Sequence, residues 1–227
     1  MKVQSELRYR CIVFDLDGTL LDTRPAMLAA INAQLAKLSR PPVAAAQLEH
    51  ATHQGLPAMW LRALDETGRL PPPEQIAATQ AELRQRYLRA AAQGVMPFPG
   101  ALALLDALRE RGVWMAICSN QNQDSVVQLL DLFDLRRYFR EVVGGDTFVE
   151  RKPDPMALRW LMLCARSAPE TTLMVGDSAL DGECAERAGA EVVLMGHGYG
   201  GPKLASRFAM LPGFAELHRQ LFGAPPC

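Results

Sequence analysis

The 227-residue chain has almost no charge bias: 24 Lys and Arg stand against 25 Asp and Glu, a formal charge of −1. So weak a field selects neither nucleic acid nor an anionic membrane, and no basic stripe interleaved with aromatics is present to read a nucleic acid. Long apolar runs are also missing. The longest fall far short of the ~20 residues that span a bilayer, and the opening MKVQSELRYR has no signal-peptide core before the first strand begins. The five cysteines, at 11, 118, 164, 184 and 227, form no CxxC pair. Four of them lie in apolar or helical contexts, where a reduced thiol acts as a small hydrophobe. No internal repeat appears, and no low-complexity tract beyond alanine-rich patches. These absences leave a soluble cytoplasmic protein as the expectation. Its balanced surface fits a monomer or a homodimer. Hydrophobic residues make up 49% of the chain, ample for a buried core and too many for disorder.

What is present has a clear order. CIVFDLDG begins as a buried strand and ends in two aspartates one residue apart, a costly pairing of like charges that needs compensation. After residue 100, strand-like runs alternate with helical patterns. ALALLDALRERG places Leu102, Leu105 and Leu108 on one helical face and stops at Gly112. VWMAICSN, REVVGGD, TLMVGDS and EVVLMGHG read as strands. QDSVVQLLDLF, DPMALRWLMLCAR (opened by Asp154 and Pro155) and ALDGECAERAGA read as helices. This alternation predicts a parallel sheet with helices on both faces, a Rossmann-like α/β core. Between residues 24 and 95 the strand signal disappears. PAMLAAINAQLAKLSR carries Met27, Leu28, Ile31, Leu35 and Leu38 at helical spacing, Asp22 and Thr23 suit a helix cap before it, and Pro71, Pro72 and Pro73 break later helices. The predicted organisation is a core of residues 1–23 and 96–227 with an all-helical insertion, 24–95, and a cleft between them suited to a small molecule.

Ligands of open parallel sheets bind at the carboxyl ends of the strands. Those ends carry Asp15, Asp17, Gly18 and Thr19; Ser119 and Asn120; and Gly176, Asp177 and Ser178, with Asp181 one helical turn on. ERKPDP adds Lys152. In order, DLDGTLLDT, SN, RKPDP and GDSALD resemble the four signature motifs of the haloacid dehalogenase superfamily. The similarity is greatest to its phosphatase branch with a helical cap after the first motif, typified by phosphoglycolate phosphatases and β-phosphoglucomutase. The resemblance covers nearly the whole chain.

It implies a Mg²⁺-dependent phosphatase acting on a small phosphorylated metabolite, phosphoglycolate-like or a sugar phosphate. Asp15 is then the nucleophile that forms an aspartyl-phosphate, and Asp17 the general acid and base. The ion is expected on Asp15, Asp177 and, as in the family, the Asp17 backbone carbonyl. Lys152 offsets charge on the nucleophile and the transferring group. Asp181, supported by Ser178, orients that lysine or a metal-bound water. Ser119, Asn120 and nearby N–H groups hold the non-reacting oxygens, and Gly18 permits a sharp turn beside the phosphate. His53, Gln54 and Gly55 fall where the family's cap presents a loop over the site, so His53 and Gly55 are candidates for substrate contact. One departure stands out: Gln121 follows SN, where many phosphoglycolate phosphatase-like members carry lysine.

The plain structural readings set Asp15 and Asp17 as turn residues, Asp154 as a helix cap, Trp60 as core, His50 as helix surface and His197, in GHGYGG, as a loop residue. Other functions are a phosphomutase that passes the same phosphoryl group to a sugar hydroxyl, a metal-independent dehalogenase, and a non-catalytic regulatory module. The module is disfavoured because Asp15, Asp17, Lys152 and Asp177 are all retained.

Overall fold

A computed structural model describes residues 7–223; residues 1–6, most of the opening stretch, and 224–227, with the fifth cysteine, lie outside them. In chain order the elements are β1 (Cys11–Phe14), α1 (Arg24–Lys37), α2 (Glu49–Thr52), α3 (Leu56–Glu66), α4 (Pro73–Gly94), α5 (Ala101–Glu110), β2 (Trp114–Cys118), α6 (Gln123–Leu132), β3 (Glu141–Val143), α7 (Met156–Ala165), β4 (Thr172–Gly176), α8 (Ala179–Ala188), β5 (Glu191–Met195), β6 (Met210–Leu211) and α9 (Phe214–Phe222). Short 3₁₀ turns join several of them.

Among the described residues six strands pair in parallel in the order β3-β2-β1-β4-β5-β6. β1 is central and buried at every position, because successive side chains leave a strand on opposite faces and both faces are covered. Ile12 and Phe14 enter one apolar cluster with Leu104 and Leu108 of α5, Leu129 of α6 and Leu217 of α9. Cys11 and Val13 enter a second with Leu158 and Leu161 of α7 and Cys184 of α8. Connections from β1 and β4 lead away to opposite sides of the sheet, and such a switch point opens a crevice at their carboxyl ends.

Between β1 and β2 the first four helices form their own packed layer. Met27, Ile31 and Leu35 of α1 share the larger cluster with Trp60 of α3 and with Leu83 and Tyr87 of α4. Trp60 is fully buried, as expected, and its indole N–H donates to Thr79 Oγ1 at 3.0 Å. His50 lies exposed on α2. No helix among the described residues is long and apolar enough to cross a membrane.

Several local expectations are corrected. Leu102 is 44% exposed, since the buried stripe of α5 runs through Ala101, Leu104, Leu105 and Leu108. Leu38 is exposed because α1 has already ended at Lys37. Thr23 takes the N-cap position of α1 without a side-chain cap bond, and Asp22 instead accepts the Tyr199 hydroxyl at 2.9 Å. Asp154 lies one residue ahead of the N-cap, Pro155, and from there accepts the Met156 N–H at 2.9 Å. Strand β6 went unread because two residues carry no period. The cysteines at 11, 118 and 184 are buried free thiols, and Cys164 is an exposed one.

Candidate active site

Asp15 follows the last residue of β1, and its N–H donates to Val175 O at 2.8 Å, so the sheet ladder itself carries the carboxylate to the crevice. It is 6% exposed. Lys152 Nζ, also buried, donates to Asp15 Oδ1 at 2.7 Å and to Asp181 Oδ1 at 2.6 Å, while Thr19 Oγ1 donates to Asp15 Oδ2 at 3.2 Å. Asp181 Oδ2 accepts from Ser178 Oγ at 2.6 Å and from the N–H groups of Ser178 and Asp177 at 3.0 and 3.3 Å, a capping box at the start of α8. Every oxygen of Asp181 is therefore committed.

Asp177 is different. Its Oδ2 accepts the Tyr199 N–H at 2.5 Å, but its buried Oδ1 has no partner. The loop after β5 presses closely on it: a Cβ added at Gly198 or Gly200 would run into Asp177. Gly18 has φ +86°, and a Cβ there would meet the Asp177 carboxylate and the Tyr199 ring. Glycine is the residue that takes both the positive φ and the close approach. Tyr199 locks this loop, its hydroxyl donating to Asp22 and accepting the Arg24 N–H at 2.9 Å. His197 clamps the same loop as a packing residue, with Nε2 3.0 Å from Thr19 O and its ring stacked on Phe98.

Asp17 Oδ1 accepts from the Tyr87 hydroxyl of α4 at 3.2 Å. Ser119 lies buried at the end of β2, its Oγ accepting the Gln121 N–H at 3.0 Å. Asn120, expected to hold anionic oxygens, spends both amide hydrogens on backbone carbonyls, those of His53 at 3.2 Å and Lys152 at 3.1 Å. It braces the two loops that carry those residues. His53 Nδ1 stands 3.9 Å from Asp177 Oδ1, and Gly55 packs against the Asn120 carbonyl. Asp15, Asp17, His53, Gly55, Ser119, Asn120, Lys152, Asp177 and Ser178 thus line one hollow, with Gly18 and Asp181 behind them. Sequence reading missed Tyr87 and Tyr199. Tyr199 lay within a glycine-rich stretch that drew notice only for its histidine, and Tyr87 is an ordinary core position of an amphipathic helix.

The electrostatics are those of a site short of positive charge. Burial drives the Asp15 carboxyl up to about 7 against the opposing pull of Lys152. Asp17 is raised by burial, and Asp177 is raised well above the carboxylate range by burial and then by Asp15 and Asp181. Burial disfavours the Lys152 ammonium, yet Asp15 and Asp181 outweigh it and hold the group well above its ordinary value. Burial opposes the charge of Asp181 too, but Lys152 and Ser178 win and keep it low. One ammonium faces four carboxylates. Asp15, Asp177 and Asp181 each offer an oxygen within 4.8 Å of one another. Together with the orphaned Asp177 Oδ1, this oxygen-only donor set fits a hard divalent cation. Asp177 is the ligand it favours most directly, through its unpartnered Oδ1, whereas both oxygens of Asp15 and of Asp181 already accept hydrogen bonds.

Comparison with known proteins matches residues 12–195 to the family described as haloacid dehalogenase-like hydrolase. A phosphoglycolate phosphatase of Rhodospirillum rubrum is 36% identical over 215 residues, covering 92% of this chain and 89% of the relative. One from Pseudomonas fluorescens is 36% identical over 191 residues, covering 84% and 70%. A crystal structure of a predicted phosphoglycolate phosphatase from Haemophilus somnus superposes with a TM-score of 0.87 at 25% identity, covering 94% of this chain and 98% of that one.

Proposed function

The chain belongs to the haloacid dehalogenase-like hydrolase family and is a phosphoric monoester hydrolase, and from that premise we propose a Mg²⁺-dependent phosphatase that cleaves a small phosphorylated metabolite through an aspartyl-phosphate on Asp15. The observation that carries it is the convergence of Asp15, Asp17, Ser119, Lys152 and Asp177, remote along the chain, on one hollow. We take residues 24–95 as a helical cap over a core of 1–23 and 96–227, and the cytoplasm as its location.

Asp15 attacks phosphorus through one carboxylate oxygen, and the bond from phosphorus to the leaving oxygen breaks. An acyl phosphate hydrolyses readily, so one hard displacement becomes two easier ones. Asp17 protonates the departing oxygen and then takes a proton from the attacking water. Burial, by raising Asp17, favours the protonated form that the first of these steps needs. Lys152 draws charge off Asp15 and the transferring group, and Asp181 with Ser178 holds that lysine in place. Ser119 Oγ and neighbouring N–H groups receive the non-reacting oxygens. Asp15, Asp177 and the Asp17 carbonyl would hold Mg²⁺, which would supply the missing positive charge and polarise the phosphoryl oxygens. The hollow has a free volume of about 10 Å³, roughly that of one water. A phosphate ester needs more room than this, and His53 and Gly55 lie on the helical side of the hollow.

Hydrolysis of p-nitrophenyl phosphate with Mg²⁺ tests this reading. Asp15→Asn abolishes turnover while circular dichroism and melting stay native, because an amide of the same size replaces one carboxylate. Substantial residual turnover in that variant removes Asp15 as the nucleophile.

A further inference from the structure

Gln121 sits at the boundary of two cavities. It lines the catalytic hollow, and it also lines a recess of about 280 Å³ between the helical layer and the start of α6. Its side chain is 1% exposed. Its Oε1 accepts the Asn122 N–H at 3.3 Å, and its buried Nε2 has no partner. Leaving such a donor unpaired costs about 1–3 kcal/mol, which an oxygen arriving at the boundary would remove. Beyond it the recess is walled by Leu56 and Pro57 and carries the carboxamides of Gln80 and Asn122. Its one formal charge, Arg84, already donates to Asp124 at 3.2 Å.

Resting on the phosphatase reading, we propose that this recess receives a polyhydroxylated organic group, so that the substrate is a sugar phosphate rather than a short phosphorylated acid, and that Gln121 makes the selection. Hydroxyls both donate and accept, as carboxamides do, so the two match without net charge, and the aliphatic wall suits the C–H face of a sugar. The recess approaches the low end of small-molecule pockets, about 300–1,000 Å³. A two-carbon acid would leave most of it empty. The carboxylate of such an acid would also meet the boundary at Gln121, desolvated and with no unpaired Lys or Arg side chain lining it. Lys152 is held by Asp15 and Asp181, and Arg84 donates to Asp124. A buried carboxylate without a cation is strongly penalised.

The test compares kcat/KM for 2-phosphoglycolate, a pentose 5-phosphate, a hexose 6-phosphate, a hexose 1-phosphate and p-nitrophenyl phosphate. The wild type favours at least one sugar phosphate over 2-phosphoglycolate by about tenfold or more, and Gln121→Lys swings that ratio about tenfold toward the acid. Gln121→Leu, which removes the donor without adding charge, narrows the ratio. General losses cancel in a ratio, and melting checks the fold of each variant. Preference for 2-phosphoglycolate in the wild type, or a ratio that neither variant moves, overturns the sugar assignment. With p-nitrophenyl phosphate still cleaved, the phosphatase reading survives that result. Failure on every ester, p-nitrophenyl phosphate included, overturns both.

Discussion

Tyr87 reaches the site from α4, fully buried, and places a hydroxyl on Asp17. Hydrogen bonds to charged groups are worth roughly 1.5–3 kcal/mol, so this contact restrains where the Asp17 oxygens point. Tyr87→Phe should therefore lower kcat on p-nitrophenyl phosphate by about tenfold with little change in KM. Asp17→Asn should cost ~10²–10⁴-fold, the usual span of a general acid–base group. If Tyr87 acts through Asp17, the double variant loses no more than Asp17→Asn alone, as groups that work as a unit do. Additive losses would show that the tyrosine merely packs. Asp17 was legible from DLDG as the candidate for proton transfer, but its partner 70 positions away was not, because a buried tyrosine on a helix looks the same whether or not its hydroxyl is in use.

At the scale of elements, α1 and α4 are held together by more than apolar packing. Lys37 of α1 donates to both oxygens of Glu82 on α4, at 2.9 and 2.8 Å, and Arg86 one turn on donates to it at 2.9 Å. The hydrogen bond from Lys37, then that from Arg86, hold the Glu82 carboxyl down at about 2 from an ordinary 4.5. A depressed carboxylate stabilises the fold above its unfolded value and loses that contribution as the pH falls through its folded one. Glu82→Gln should thus lower the melting temperature slightly at neutral pH, the modest effect expected of an exposed pair. The difference from wild type should close as the pH is taken from about 5 down to about 2. A gap independent of pH would assign the loss to packing. Periodicity identified α1 and α4 as helices. It misjudged Leu38 and Leu102, because a helix end and the rotation of a buried face are settled by neighbours and only loosely by spacing.

Across the whole molecule, the parallel sheet gathers like charges and the loops keep them buried. The fold accordingly carries internal repulsion at Asp15 and Asp177, both raised by burial and each further raised by other carboxylates. A cation that binds the native state alone stabilises it by mass action, about 2.7 kcal/mol at a hundredfold excess over its Kd. Mg²⁺ should raise the melting temperature, EDTA should reverse the rise, and Asp177→Asn should blunt it by removing the unpartnered Oδ1. A melting temperature indifferent to Mg²⁺ would argue against an ion at these residues. The same loop geometry gives Tyr199 its place: its N–H takes one oxygen of Asp177 and leaves the other free.

Strand–helix alternation, the helical stretch after β1 and the polar residues at each strand end could be read from residues alone, because period, turn residues and motif order are local properties of the chain. Which oxygens stay free, which amide is spent on bracing, and what recess adjoins the hollow depended on tertiary structure. Asn120 and Gln121 make the case: two adjacent carboxamides, the first expected to hold the non-reacting oxygens and the second noted only for standing where many relatives carry lysine. The first gives both amide hydrogens to backbone carbonyls and keeps a buried Oδ1 without a partner, and the second keeps a buried Nε2 unmet. Hydrogen-bond capacity is inherent in a residue type, but how it is used depends on groups that only folding brings within reach.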